Sequence, residues 1–243
     1  MQYFEVTLPS VAENLALDEA LLEQAQASPA GTESLRIWQA DSPFVVLGRS
    51  SRVADEIQSP AAQQPAIPVF RRVSGGATVA AGPGCMFYAL VLSLEQRPHL
   101  RMLDQAHQFV MGQMKAALQP LVPQLEFDGT CDLVVAGRKV SGNSVRLIRD
   151  WMLYHGTLLL DMDLTLVDRW LKHPPREPEY RGGRSHADFL ANLHIPYQAV
   201  ANALYATWPI GQPVEPGVHP LPLARIESLV REKYSQDAWN LAR

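Results

Sequence analysis

Only two cysteines, Cys85 and Cys131, occur in the 243 residues. That is too few for a disulfide scaffold, and it fits a reducing compartment. A basic excess is also missing. Lys and Arg number 21 against 25 Asp and Glu, giving a net charge of -4 and a pI near 6.0. This excludes the whole-chain footprint of a nucleic-acid binder, although a local basic cluster can still meet a small anion. No stretch approaches the ~18 uninterrupted apolar residues of a membrane span. The N-terminus, MQYFEVTLPSVAENLALDEALL, has no basic region leading into a continuous apolar run, so no secretory signal is read. The seven histidines show neither zinc spacing nor H-E-x-x-H. The expectation is a cytoplasmic protein with no nucleic-acid or membrane partner and no metal site.

Hydrophobic residues make up 47% and charged residues 19%, enough apolar material for the core of one large domain. Ser10 and Glu13 have the spacing of a capping box and open a helix through Ala27. Strands are expected at Tyr3–Leu8, Leu35–Gln39, Phe44–Leu47, Ile67–Phe70, Thr78–Ala81 and Met86–Leu94. A helix follows at Leu103–Leu118, then a meander of Leu125–Phe127, Leu133–Val135, Arg138–Leu147 and Trp151–Asp161. Short helices are read at Val53–Ile57 and Thr165–Leu171, and longer ones at Pro196–Trp208 and Leu223–Tyr234. Ser59–Pro68 and His173–His186 read as surface loops, and the proline-rich Pro209–Pro222 as a linker. Strands dominate the centre and helices the ends, without βαβ alternation. The expected class is therefore α+β, a mostly antiparallel sheet flanked by helices.

Three polar stretches interrupt this pattern. In the first, Arg71-Arg72-Val73-Ser74-Gly75-Gly76-Ala77 follows a strand. Glycines let backbone N–H groups approach a ligand, and guanidinium groups suit a phosphate or carboxylate. Its spacing is that of neither a P-loop nor a Rossmann fingerprint, and a plain turn with solvated arginines is the alternative. In the second, Asp132–Gly142, Ala136-Gly137 is a plausible hairpin turn. Val135 then faces Arg138, Val134 faces Lys139 and Asp132 faces Ser141. Period-2 alternation puts Asp132, Val134, Lys139 and Ser141 on one face and Leu133 and Val140 on the other. Lys139, held by Asp132, can neutralise a phosphate or polarise an acyl carbonyl; an exposed strand lysine is the alternative. Cys131 falls on the Leu133 face unless the ladder ends before it. In the third, His155, Gly156 and Thr157 break an apolar strand, where glycine suggests close backbone contact. His155 can bind a ligand or assist proton transfer, or it is a satisfied core histidine.

In order, ENLALDEALL, RRVSGGATV, DLVVAGRKVSGNSVR and HGTLLLDMDL resemble the biotin/lipoate protein ligase superfamily, specifically its lipoate–protein ligase A-like branch. The resemblance covers roughly residues 1 to 200. It implies an α+β catalytic domain over residues 1–243, with 209–243 a proline-rich linker and a helix packed on it. It implies that a lipoyl or octanoyl group is joined to a lysine of a lipoyl carrier domain, through an acyl-adenylate made from ATP with Mg. Lys139 is then the lysine that touches the acyl carbonyl and phosphate. Arg71, Arg72, Ser74, Gly75, Gly76 and Ala77 line the pocket, completed by Asp132, Ser141, Gly142, His155, Gly156 and Thr157.

Three departures from the family pattern stand out. Ala77 replaces a third glycine, Ala81-Gly82 a His-Asp pair, and Cys85 an asparagine. Residues 200–243 are too few for the family's accessory domain, so adenylation would need a partner chain or be lost. Cys131 stands where ligases carry asparagine, eight residues before Lys139. This opens an alternative, an ATP-independent octanoyltransferase with Cys131 as thioester nucleophile, since a thiolate beside Lys139 would have a lowered pKa. Cys85 is the weaker candidate nucleophile. A non-catalytic binder of lipoyl or adenylate groups is a further alternative.

Overall fold

The structure is a computed structural model that describes residues 1–28, 31–58, 67–208 and 221–242. In order, the elements are β1 Gln2–Glu5, α1 Val11–Ala27, β2 Ser34–Gln39, β3 Phe44–Leu47, α2 Val53–Glu56, β4 Val69–Arg71, β5 Val79–Ala81 and β6 Cys85–Ser93. Then come α3 Leu103–Leu118, β7 Leu125–Asp128, β8 Asp132–Val135, β9 Arg138–Ile148 and β10 Trp151–Leu159. The remainder is α4 Thr165–Trp170, α5 His186–Phe189, α6 Tyr197–Thr207, α7 Leu223–Leu229, a π-helical turn at Val230–Tyr234, and α8 Asp237–Asn240. The proposed loop Ser59–Pro68 and linker Pro209–Pro222 lie largely outside the described residues.

Seven strands form one sheet in the order β1-β2-β6-β10-β9-β8-β7. Only β1 and β2 run parallel; the other pairs are antiparallel. The class is thus α+β with helices on a mostly antiparallel sheet. One sheet was expected, but β4-β3-β5 form a second, three-stranded one. Short apolar runs do not reveal their partners.

β6 explains the layering. Cys85, Phe87, Ala89 and Val91 belong to one core, and Met86, Tyr88, Leu90 and Leu92 to another. The strand is buried on both faces, so it reads as a continuous apolar run. The first core is closed by α1, the small sheet and the C-terminal helices, and the second by α3 and α6. No helix among the described residues is long and apolar enough to cross a membrane.

α1 starts where the capping box places it: Glu13 N–H donates to Ser10 Oγ, and Ser10 N–H to Glu13 Oε2. Its buried face carries Asn14 and Asp18 among leucines and alanines. Both meet Arg36 of β2, which has 0% exposure. Arg36 Nη1 donates to Asp18 Oδ1 at 2.5 Å and to Asn14 O at 2.8 Å. The C-terminal elements also carry polar contacts inward. Lys233 Nζ and Tyr234 Oη donate to Glu19, and Trp239 Nε1 donates to Arg71 O at 2.9 Å.

Removing one partner of a buried pair strands the other charge. Asp18→Asn is expected to cost about 3–5 kcal/mol by that rule, measured as a lower urea midpoint in circular dichroism. An unchanged midpoint would remove Arg36–Asp18 as the bond between α1 and the sheet.

Candidate active site

The hairpin β8–β9 forms the Lys139 edge of the candidate site. Ala136 and Gly137 have φ of 51° and 69°, the positive values a type I′ turn requires. Val135 pairs with Arg138 and Val134 with Lys139, but the register then shifts and Leu133, not Asp132, faces Ser141. The expected Asp132–Ser141 pairing is corrected by this bulge. It lets Leu133 and Val140 both sink into the core at 0% exposure. Lys139 Nζ still reaches Asp132 Oδ1 at 2.8 Å.

A cavity of ≈ 210 Å³ opens beside Lys139. Buried Leu15, Trp38, Val46 and Phe87 form its apolar wall. Lys139, Arg72, Lys172, Arg176 and Arg181 supply positive charge, against Asp18 and Glu56. Ser141, Gly142, His155, Gly156 and Thr157 also line it. Gly142 and Gly156 keep the sheet low there. A Cβ at Gly142 would come 3.3 Å from Lys139 Cε, and one at Gly156 only 1.9 Å from Asn143 Oδ1.

The arginine–glycine stretch divides. Arg72 and Ala77 reach the cavity wall; Arg71, Ser74, Gly75 and Gly76 do not. Arg71 is turned away: Nη1 donates to Gly48 O and Ser51 O at 2.8 Å each, and Nε to Trp239 O at 3.0 Å. The expected ligand contact is therefore corrected to a brace between β4, the loop after β3 and the C-terminus. Arg72 threads its own loop, donating to Ala77 O at 2.9 Å and to Gly75 O. Burial pulls its pKa down to about 10, opposed by Glu56. Gly76 is left-handed, with φ of 86°. Ser144 Oγ donates to Gly75 O at 2.7 Å and ties the loop to β9. The glycine loop is thus closed by internal hydrogen bonds, with Arg72 as its clasp.

Ser74 supports His155 from behind. Its Oγ lies 2.5 Å from His155 Nε2, while His155 Nδ1 lies 3.5 Å from Asp18 Oδ2. The histidine therefore has both nitrogens engaged and still faces the cavity. Asp132 is also displaced from the wall. Its second oxygen accepts from Tyr180 Oη at 2.8 Å, and the residue is only 6% exposed.

Cys131 departs most from its expected role. It lies outside the cavity wall, and its Sγ donates to Asn143 O at 3.4 Å. Burial and then the Asp132 charge push the thiol up to about 11, although Lys139, a hydrogen bond from the Asn143 backbone and Arg72 pull the other way. The lowered pKa expected beside Lys139 is thus corrected: desolvation outweighs the cation. Burial pushes Cys85 up to about 12.

Several wall residues escaped the sequence reading. Asp18 on an apolar helix face was a visible signal, since buried polar groups demand partners. Nothing local marked Glu56 or Trp38. His173–His186, read as a surface loop, is corrected to a folded strap. It contains a turn at Glu179–Arg181, buries Arg181 to 3% exposure, and contributes Pro174, Arg176 and Pro178 to the wall. Among the described residues no three His, Cys, Asp or Glu converge as a metal set. Asp132 is taken up by Lys139 and Tyr180.

Because the Cys131 thiol is raised, alkylation by iodoacetamide near neutral pH is expected to be slower in the folded protein than in urea, climbing as pH approaches about 11. By linkage, a raised acid favours the folded state below the unfolded thiol pKa, and that contribution is lost as pH rises toward about 11. Fast labelling at neutral pH would contradict the buried, neutral thiol.

Comparison with known proteins places the chain in a family. Residues 10–203 match the family described as the lipoyl protein ligase A/B catalytic domain. Lipoate–protein ligase 1 of Staphylococcus aureus is 27% identical over 180 residues, 74% of this chain and 52% of that protein. LplJ, a lipoate-protein ligase of Bacillus subtilis, is 26% identical over 182 residues, again 52% of its length. The chain thus spans about half the length of these ligase relatives. The octanoyltransferase LipM of Brevibacillus brevis is 26% identical over 100% of this chain and 99% of its own. Among solved structures, lipoate-protein ligase A bound with ATP superposes with a TM-score of 0.78 at 18% identity, covering 99% of this chain and 98% of that one. The bi-partite lipoate protein ligase of Thermoplasma acidophilum, described with its E2 lipoyl domain, gives 0.79 at 19% identity, covering 99% and 95%. With motifs, fold and family match in accord, the chain belongs to the lipoyl protein ligase A/B catalytic domain family.

Proposed function

We propose that this protein is an enzyme that transfers a lipoyl or octanoyl group, presented as its acyl-adenylate, to a lysine of a lipoyl carrier domain. The observation that carries the reading is the position of Lys139. It stands at the cavity wall over Gly142, between the buried apolar residues and the basic rim. Leu15, Trp38, Val46 and Phe87 suit the acyl chain. Lys139, Arg72 and Arg176 suit the phosphate of a mixed anhydride.

The neutral carrier amine attacks the acyl carbon. The amide C–N bond forms, the acyl–phosphate C–O bond breaks, AMP leaves, and the amine's proton passes to solvent. Lys139 stabilises the charge that develops on the carbonyl oxygen and departing phosphate. Structures named for ATP and for a lipoyl domain among the fold neighbours support the choice of donor and acceptor.

Octanoyl transfer without ATP is the second reading, favoured by the end-to-end match to the octanoyltransferase. The Cys131 geometry argues against a thioester at that position.

Three incubations with a lipoyl domain separate the cases: lipoate with ATP and magnesium, preformed lipoyl-adenylate, and octanoyl-carrier protein. Modification is expected with the adenylate. Modification with adenylate but not with lipoate and ATP would assign adenylation to a further chain. Modification from octanoyl-carrier protein alone would replace the lead reading by the second. Lys139→Ala is expected to lower transfer by about a hundredfold or more, the scale of a lost oxyanion donor. Cys131→Ser should stay within about twofold of the parent, in contrast to loss of a true nucleophile.

A further inference from the structure

We propose that Tyr180 is a positioning residue: acting through the Asp132 carboxylate, its phenol sets where the Lys139 ammonium stands and how tightly it is held. This rests on the reading of Lys139 as the cation of the acyl site. Tyr180 Oη donates to Asp132 Oδ2 at 2.8 Å, and Lys139 Nζ contacts Asp132 Oδ1 at 2.8 Å. Each carboxylate oxygen thus has one of these two donors. Asp132 is buried and off the cavity wall, whereas Lys139 is on it. The carboxylate therefore acts on Lys139 from behind.

Tyr180 is equipped for this role. Burial, then the Asp132 charge, pushes its phenol well above the ordinary range, so it remains a donor. Its ring packs 5.2 Å from that of Phe189 and touches the Gly129 position. The segment carrying it also grips the hairpin's backbone. Arg184 Nη1 donates to Gly137 O at 3.1 Å, while its Nη2 donates to Tyr180 O at 2.7 Å. Ala191 N–H donates to Lys139 O at 2.9 Å, and Arg138 Nη2 donates to Ala187 O at 3.1 Å. The stretch 180–191, the end of the strap and the residues that follow it, thus holds the turn, the lysine backbone and the lysine's counter-ion. A lysine side chain is flexible by itself; here the carboxylate that aims it is oriented from the second side.

A buried carboxylate that loses one of two donors leans harder on the other. Tyr180→Phe keeps the ring and deletes only the donor. Two measurements are made on it. One is transfer from preformed lipoyl-adenylate to a lipoyl domain, with kcat and KM separated. The other is the rate at which an amine reagent modifies Lys139 at one fixed, mildly alkaline pH, read by mass spectrometry. The expected result is a kcat lower by about tenfold with KM within about twofold of the parent, and slower Lys139 labelling. Asp132→Asn removes the counter-charge and should move labelling the opposite way. Unmoved Lys139 labelling in Tyr180→Phe overturns the proposal, whatever kcat does. If that variant does not fold, unchanged labelling in Asp132→Asn overturns it instead. Shifted labelling with unchanged transfer upholds the coupling and locates the failure in the role given to Lys139.

Discussion

Arg36 is the constraint around which the site is arranged. A guanidinium with no solvent exposure cannot keep its charge in an apolar core without a counter-ion and several acceptors. α1 supplies them through Asp18 and Asn14. Burial still lowers the Arg36 pKa, against the pull of Asp18. Asp18 then turns its other oxygen to His155, which meets Ser74 of the glycine loop. One buried charge thus fixes the helix, the central strands and the loop relative to one another. The cavity lies among these elements.

The adjacent arginines show how differently neighbours can be used. Arg71 points to the backbone carbonyls of one loop and to the C-terminal Trp239. Arg72 points to the carbonyls of its own loop and to the cavity. Arg71 is the last residue of β4 and Arg72 the first of the loop that follows, so the two side chains leave the chain in different directions. Their common identity as cations beside glycines concealed two tasks, bracing the frame and lining the site.

The lysine hairpin was legible in good part. Ala136-Gly137 and the flanking valines implied a tight turn, and the pairing of Val134 with Lys139 followed from it. The shift beyond Val134 was not legible, because it depends on how Leu133 and Val140 seat in a core built by distant elements. The role of 173–186 was hidden for a similar reason. Prolines, arginines and glycines describe a surface loop equally well, and only contacts with Asp132, Gly137 and Phe189 reveal a strap.

The sequence by itself determined the class of fold, the main strands and helices, and the lysine, histidine and glycine positions near which chemistry is placed. Those follow from local periodicity, capping and turn chemistry, which neighbours along the chain decide. Tertiary structure alone decided which of these residues face the cavity. It withdrew Arg71, Ser74 and Asp132 into supporting positions and brought in Asp18, Trp38 and Glu56. It also set the surroundings of Cys131. A thiol one residue from the hairpin could be reactive or inert, and the balance between desolvation and a nearby cation depends on burial. Here burial prevails. At the edge of the lysine hairpin Cys131 lies off the cavity wall, and Lys139 stands on that wall with its counter-ion behind it.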